Sequence, residues 1–339
     1  MEYTKFKDKK ILFISVKLFN YENIIADKLR SLGAIVHYYD ERPNNSILAK
    51  GIIRLKKDIY KCTITKYYNI ISNEIKSKKY DYFFLIKGEV IPQFFIDELK
   101  KLNPNIILLY YTFDSFLNNP NGKEILHNFE KKFTFDRKDA NDFKLDFRPL
   151  FFSDDYGNIK QKKSISFDLL FIGTAHSDRY IISEKLFELC KLNKLKFFSY
   201  YYSPSRISFW FFKLFDSSFK NFSYSKVRFK SLKHSEIISL YGDTKVVLDI
   251  NHPKQVGLTM RVFESLGAEK KIITTNDDII NYPFYDSNNI LIIDRNNIKV
   301  DISFFNKPFH KLNPKLKYSM SIAGWLEELF FTNEENIWV

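Results

Sequence analysis

The sequence predicts an α/β protein of two Rossmann-like domains facing across a cleft. Three observations carry this. Short apolar runs alternate with helical periods in two successive series, one before residue 151 and one after residue 167. A polar, turn-rich stretch over residues 152–166 separates them. The length of 339 residues suffices for two cores. The expected division is a first domain over 1–151, a linker over 152–166, a second domain over 167–314, and a helical segment over 315–339.

The first series opens with Lys10–Val16, an apolar run read as a central parallel strand. A helical pattern from Asn20 to Leu32 ends at Gly33, and Ala34–Tyr39 is the next strand. There is no G-x-G-x-x-G, so a dinucleotide cofactor is disfavoured. Residues 47–79 are helical, with Ile52, Leu55, Ile59 and Tyr60 as apolar positions. Tyr82–Ile86 is a strand, Lys87-Gly88-Glu89 a loop, and Pro92 starts a helix ending near Leu102. Asn105–Tyr110 is a strand running into Asp114-Ser115. Ligands of open α/β sheets sit at the carboxyl ends of strands. Lys87, Gly88, Glu89, Asp114 and Ser115 are therefore cleft candidates, with a helix cap before residues 119–129 as the alternative for Asp114 and Ser115. Lys132–Asp136 is a strand before a short helix from Arg137.

The second series opens with the strand Asp168–Ile172, a turn carrying Gly173, and a helix from about Tyr180 to Lys191. Leu195–Tyr200 is a strand. Residues 205–215 form a basic, aromatic segment that either faces the core or lies in a membrane interface. A short strand near Val227 and a helix from His234 to Tyr241 follow. Val246–Leu248 is a strand before the loop Asn251-His252-Pro253. A helix from Leu258 to Leu266 places Leu258, Val262 and Leu266 on one face, with Gly267 as its stop. Lys271–Thr275 is a strand, Asn276 a cap, and Asn289–Ile293 a strand. Lys315–Phe331 reads as helical, with Tyr318, Ile322, Trp325 and Leu329 as a stripe.

Composition excludes several classes. With 45% hydrophobic and 27% charged residues, the chain is globular rather than disordered. The net charge of +13 favours anionic partners. Cys62 and Cys190 have no metal spacing and are expected as buried thiols of a reduced compartment. The charged start shows no signal-peptide pattern, and no apolar run reaches the length of a membrane span. A cytoplasmic protein, peripheral at most at the inner face of the membrane, is expected. No zinc spacing, P-loop or G-x-S-x-G is present.

Two strand–turn–helix units in the second half suit a phosphate. A helix N-terminus offers unpaired N–H groups and partial positive charge. At the first unit, His176 and Arg179 can face a diphosphate or transferred sugar. Alternatively Ser177 or Asp178 caps the helix, His176 is a loop residue and Arg179 is solvated. At the second, Gly257 allows close backbone approach, Arg261 can pair with a diphosphate and Glu264 can accept from a ribose diol. Alternatively Arg261 and Glu264 are a solvated surface pair.

The segments FTFDRKD (133–139), FRPLF (147–151), FIGTAHSDR (171–179) and GLTMRVFE (257–264), in that order, resemble GT-B glycosyltransferases. The likeness is to CgeB-like and group 1 members of the bacterial capsule and lipopolysaccharide biosynthesis type. It implies that Glu264 holds the donor ribose, that Arg261 neutralises the diphosphate, and that transfer is retaining. The sequence departs from it at Val256, where many retaining members carry a second Glu. The candidate catalytic residues are His176 and Asp114. The candidate donor-binding residues are Gly173, Thr174, Arg179, Asn251, Gly257, Leu258, Thr259, Arg261 and Glu264. No metal ligand and no cofactor is assigned. The expected partners are a nucleotide-sugar donor and a glycan or lipid-linked glycan acceptor, with contact to an anionic membrane through 205–220. No nucleic acid is expected, although a basic nucleic-acid-binding protein and a non-catalytic GT-B scaffold are the rival readings.

Overall fold

A computed structural model describes residues 5–162, 164–253, 255–331 and 336–338, without the side chains of residues 47, 48 and 54–56. The chain divides into two compact units, Met1–Pro149 with Ile322–Val339, and Leu150–Ser321.

The first unit runs β1 (Lys10–Ser15), α1 (Tyr21–Ser31), β2 (Ile35–Asp40), α2 (Ile47–Lys56), α3 (Lys61–Ile75), β3 (Tyr82–Ile86), α4 (Gln93–Leu102), β4 (Ile107–Thr112), β5 (Lys131–Thr134), α5 (Arg137–Phe143) and β6 (Asp146–Phe147). Its strands form one parallel sheet in the order β2-β1-β3-β4-β5-β6. Every residue of β3 is buried, as expected of a strand covered by helices on both faces. The order reverses between β1 and β3. The helical stretch after residue 46 buries Ile53, Ile64, Tyr68, Ile71 and Ile75. Ile59, expected on the apolar face, is exposed because a 3-10 turn over Lys57–Tyr60 resets the helical phase. The side chain of Leu55 lies outside the described residues. Cys62, expected to be buried, is exposed, whereas Cys190 is buried.

The second unit runs α6 (Asp154–Gly157), β7 (Phe167–Thr174), α7 (Arg179–Leu192), β8 (Phe197–Tyr202), α8 (Arg206–Phe215), β9 (Val227–Arg228), α9 (His234–Gly242), β10 (Thr244–Asp249), α10 (Met260–Gly267), β11 (Lys271–Thr274), β12 (Ile290–Ile292) and α11 (Pro314–Met320). The sheet is again parallel, in the order β12-β11-β10-β7-β8-β9. Its order reverses between β7 and β10. Residues 152–166 lie inside this unit: Phe152 and Tyr156 are buried, and Phe152 bridges to Ser321.

The segment over 315–331 is two helices rather than one. α11 ends at Met320, and α12 (Ile322–Phe330) belongs to the first unit. The break at Ser321 separates Tyr318 from the expected stripe, while Ile322, Trp325 and Leu329 are buried. Trp325 meets Tyr111 edge-on with ring centroids 4.9 Å apart. Arg148 of the same unit pairs with Glu328 of α12 at 2.5 Å.

Glycine 267 is the last residue of α10, not a left-handed stop. Glu269, at φ 56°, takes that role, and the Lys270 N–H bonds the Ser265 carbonyl at 2.8 Å to close the helix end. The reason for glycine at 267 is Phe152: a Cβ there would lie 2.4 Å from its ring.

Candidate anion-binding site

The site lies in the second unit, at the carboxyl ends of β7 and β10 where the strand order reverses. That is the position at which open α/β sheets bind ligands. Gly173 and Thr174 are the last residues of β7 rather than part of the turn. The turn is Ala175–Asp178, and Ser177 adopts its positive φ of 49°. His176 is partly buried, with Nδ1 3.0 Å from Ser177 Oγ and its ring 5.9 Å from that of His252. Burial, then Arg179, His252 and Arg261, hold the imidazole down at about 3, so it is neutral at pH 7.

Arg179 opens α7. Its Nε donates to the Ile250 carbonyl at 2.9 Å and its Nη1 to the Thr174 carbonyl at 3.4 Å. It thereby ties the ends of β10 and β7 together. Burial and the neighbouring Arg261 lower it to about 10, so it remains charged. Among the described residues it makes no ion pair. The two capping alternatives fail here. Ser177 is engaged with His176, and Asp178, though in the cap position, makes no side-chain cap bond. Its carboxylate is held by Arg295 Nη1 at 2.9 and 3.0 Å.

Arg261 is not part of a solvated surface pair. α10 begins at Met260, with Thr259 in the cap position, so Arg261 lies in the first turn. Its Nη1 pairs with Asp249 Oδ1 at 2.9 Å and its Nη2 donates to the Ile172 carbonyl at 2.6 Å. Asp249 is fully buried at the end of β10. It also accepts from Thr259 Oγ1 at 2.8 Å and Thr274 Oγ1 at 3.2 Å. Although burial opposes the charged form, Asp249, Tyr241 and Glu264 together raise the Arg261 pKa. Glu264 is buried within α10, against the expectation of a solvated pair. Leu258 and Gly257 are buried ahead of the helix, and the Gly257 carbonyl accepts from Gln255 Nε2 at 2.8 Å.

Asn251 joins this cluster to a hollow of about 540 Å³ at the ends of β10, β11 and β12. Its side chain accepts from Thr275 Oγ1 at 2.7 Å, and Arg295 Nη2 donates to its carbonyl oxygen at 2.6 Å. Thr275, Asn276 and Arg295 line the hollow with it, whereas His176, Arg179, Arg261 and Glu264 do not. The structure thus gathers His176, Arg179, Arg261 and Asn251 around one strand reversal. Sequence reasoning missed Asp249 and Arg295. Both sit at strand ends, so the carboxyl-end rule applied to β10 and β12 would have reached them.

Asp114 belongs to the first unit. It does not cap a helix: the following 3-10 helix starts at Pro120 with Asn119 in the cap position. Instead Asp114 lies 3.6 Å from Lys87 Nζ and accepts from Asn118 Nδ2 at 3.2 Å. Lys87 also lies 3.7 Å from Glu89, which pairs with Arg42 at 2.5 Å. Beside them, Glu41 is fully buried, and burial pushes its carboxyl up to about 7. Its Oε1 accepts from the Val90 N–H at 2.7 Å, while Oε2 has no hydrogen-bond partner among the described residues. The loop here takes left-handed backbone at Lys87 and Gly88. A Cβ on Gly88 would also lie 2.6 Å from Ile125 Cδ1.

Two parallel Rossmann-like sheets, each with a strand reversal bearing charged groups, define the GT-B class of fold. Solved structures agree. The chain is similar to an alpha-glucosyltransferase in complex with UDP and a 13-mer DNA containing a central A:G mismatch, at 12% identity and a TM-score of 0.59 over 94% of this chain and 95% of that one. It is similar to a glycosyltransferase from Rickettsia africae ESF-5, at 15% identity and a TM-score of 0.54 over 86% and 85% of the two chains. It is also similar to a UDP-N-acetylglucosamine 2-epimerase, at 10% identity and a TM-score of 0.53 over 98% and 100%. At these identities the likeness is one of fold. No family model matches the sequence, and no curated protein does.

Proposed function

We propose that the chain is a glycosyltransferase that moves a sugar from a nucleotide-sugar donor to a surface-polysaccharide acceptor, of the capsule or lipopolysaccharide type that its motifs resemble. The single observation that carries the reading is Arg179. It is a partly buried cation that forms no salt bridge of its own among the described residues, at the start of a helix without a side-chain cap; Asp249 and Asp178 favour its charge only from a distance. The adjoining Arg261 and Arg295 already hold carboxylates, at Asp249 and Asp178. A pyrophosphate would supply the missing charge and accept from the first N–H groups of α7.

Sugar transfer breaks the bond from the anomeric carbon to the donor phosphate, so negative charge grows on the departing diphosphate. In this reading fixed cations and a helix N-terminus would stabilise that charge, and a neutral His176 would donate one hydrogen bond to it. In this reading the second unit binds the donor, with Asn251, Thr275 and Asn276 offering polar groups to the nucleoside. The first unit takes the acceptor beside Asp114, and transfer is retaining and needs no metal. Glu264 would hold the ribose once its buried carboxylate is reached.

The test is a thermal-shift and calorimetric screen of UDP, GDP, ADP, CMP and dTDP sugars. At least one should bind. Arg179→Gln keeps a donor for the backbone carbonyls but removes the charge, so it should weaken that binding about tenfold, the scale of one charge-assisted hydrogen bond, with little change in Tm. No response to any nucleotide sugar, or unchanged affinity in Arg179→Gln, would overturn the reading. Transfer onto DNA rather than onto a glycan would reassign the acceptor.

A further inference from the structure

Helix α8 is apolar on two opposite sides; one is buried, and the other, where Trp210 stacks on Tyr224 with ring centroids 5.8 Å apart, is exposed. Phe209 is fully buried, its ring 5.2 Å from that of Phe219 and 5.8 Å from that of Phe222. The reading of residues 205–215 as a core-facing helix is satisfied by this side alone. The other side carries Ile207, Trp210, Phe211, Leu214 and Phe215, which are 83%, 49%, 57%, 76% and 74% exposed. At 100° per residue these five cover about 140° of the helix surface, centred opposite Phe209. Such a face over ten residues is about 15 Å long.

The surrounding charge says what kind of surface meets it. Residues 203–233 contain seven basic residues, Arg206, Lys213, Lys220, Lys226, Arg228, Lys230 and Lys233, against a single acid, Asp216. Arg206, Lys220, Arg228 and Lys230 are exposed and make no ion pair among the described residues. Asp216 is occupied locally, accepting from the N–H and hydroxyl of Ser218. With Lys226 paired to Glu184, a second copy of the chain packed face to face would still bring together the unpaired Arg206, Lys220, Arg228 and Lys230 of both copies, which disfavours a symmetric dimer. An aromatic and aliphatic face on a segment rich in exposed, unpaired cations matches the interfacial zone of an anionic bilayer. The side chains enter the acyl boundary and the cations meet the headgroups. Among the described residues no helix is long and apolar enough to cross a membrane, so contact through α8 would be with the surface.

We infer that α8 docks the protein on anionic lipid, inserting Ile207, Trp210, Phe211, Leu214 and Phe215 while Arg206, Lys220, Arg228 and Lys230 hold the headgroups. The inference goes beyond sugar transfer and does not depend on it.

The intrinsic tryptophans give a direct readout. Trp325 and Trp338 are buried in the first unit, so a change in emission on adding lipid reports Trp210. The full chain is mixed with vesicles of equal parts phosphatidylglycerol and phosphatidylcholine, or of phosphatidylcholine alone. The anionic vesicles should shift the emission to the blue and pellet the protein. Added salt should weaken the binding, and neutral vesicles should bind at least about tenfold less. Trp210→Ser/Phe211→Ser, both exposed, should lose at least about tenfold in pelleting. Because Trp210 is absent from that variant, pelleting is its readout, and its nucleotide-sugar response should match that of the wild type. Equal pelleting of wild type and variant overturns the inference, as does absence of wild-type binding. A change from dimer to monomer in the variant, without wild-type binding to vesicles, assigns the face to a second copy instead. Displacement from vesicles by duplex DNA at matched ionic strength assigns the cations to nucleic acid. Loss of the nucleotide-sugar response in wild type and variant alike would sink the functional reading and leave the lipid result standing.

Discussion

Arg261→Ala separates two roles that the sequence cannot distinguish. If Arg261 exists to hold Asp249, its removal leaves a fully buried carboxylate with the hydroxyls of Thr259 and Thr274 and, without a salt bridge, the charge of Arg179. Removing one member of a buried pair costs about 3–5 kcal/mol. The Arg261 side chain retains 17% of its surface and the two hydroxyls remain, so the lower end, about 3 kcal/mol, applies here. For a unit of this size that corresponds to a fall in Tm of about 6–12 °C. Calorimetry of the variant, without nucleotide, measures it. The second arm is Arg261→Ala combined with Asp249→Asn, which removes the stranded charge and should recover part of the loss, a coupling of about 1–3 kcal/mol. A loss below about 1 kcal/mol in the single variant, with nucleotide binding abolished, would refute the reasoning. Arg261 would then face the ligand rather than Asp249. Arg179→Gln is the cleaner probe of the anion site, since Arg179 forms no salt bridge with the buried Asp249 and supports its charge only from a distance.

Two further predictions concern stability. Glu41 has a folded pKa of about 7 against an unfolded value of 4.5, raised chiefly by burial. The protonated form is therefore favoured by folding: that stabilisation is complete below pH 4.5 and is lost as pH rises through 7. About 2.5 pH units correspond to about 3 kcal/mol, so Glu41→Gln should be more stable than wild type at pH 8 by up to that amount. The gain should vanish near pH 4.5, and urea midpoints at the two pH values measure it. Gly267→Ala places a methyl group against the Phe152 ring and should lower stability by about 1–3 kcal/mol. A thermal melt reads this, and an unchanged Tm would mean that Phe152 moves aside freely.

Most strands of both sheets were legible, β6 being the exception at two residues, because parallel strands covered on both faces become short continuous apolar runs. Lys10–Ser15, Tyr82–Ile86 and Thr244–Asp249 each appear in the sequence as such a run. Boundaries failed where a tertiary contact outweighed the local pattern. Gly267 resembles a helix stop, but its missing side chain is required by Phe152, a residue 115 positions away in sequence that packs there only once the unit has folded. The tail from Lys315 keeps a helical period through Phe331, yet the chain passes from one unit to the other at Ser321 and the helix breaks there.

Charge is where the sequence misled most, and the reason is physical. A side chain's type gives its charge but not its counter-ion. Arg261 and Glu264 are three apart, so helical spacing suggested a surface pair; the actual partner of Arg261 is Asp249, across a strand end. Asp178 was a natural helix cap by position, but Arg295, 117 residues further on, takes its carboxylate and leaves the helix without a side-chain cap. Once these pairings are known, Arg179 stands out, because the two acids nearest to it are already held. The local pattern could place a cation at the start of a helix. Only the folded arrangement of Asp249, Asp178, Arg261 and Arg295 leaves Arg179 without a salt bridge among the described residues, which is why the proposed reading assigns an incoming diphosphate to it.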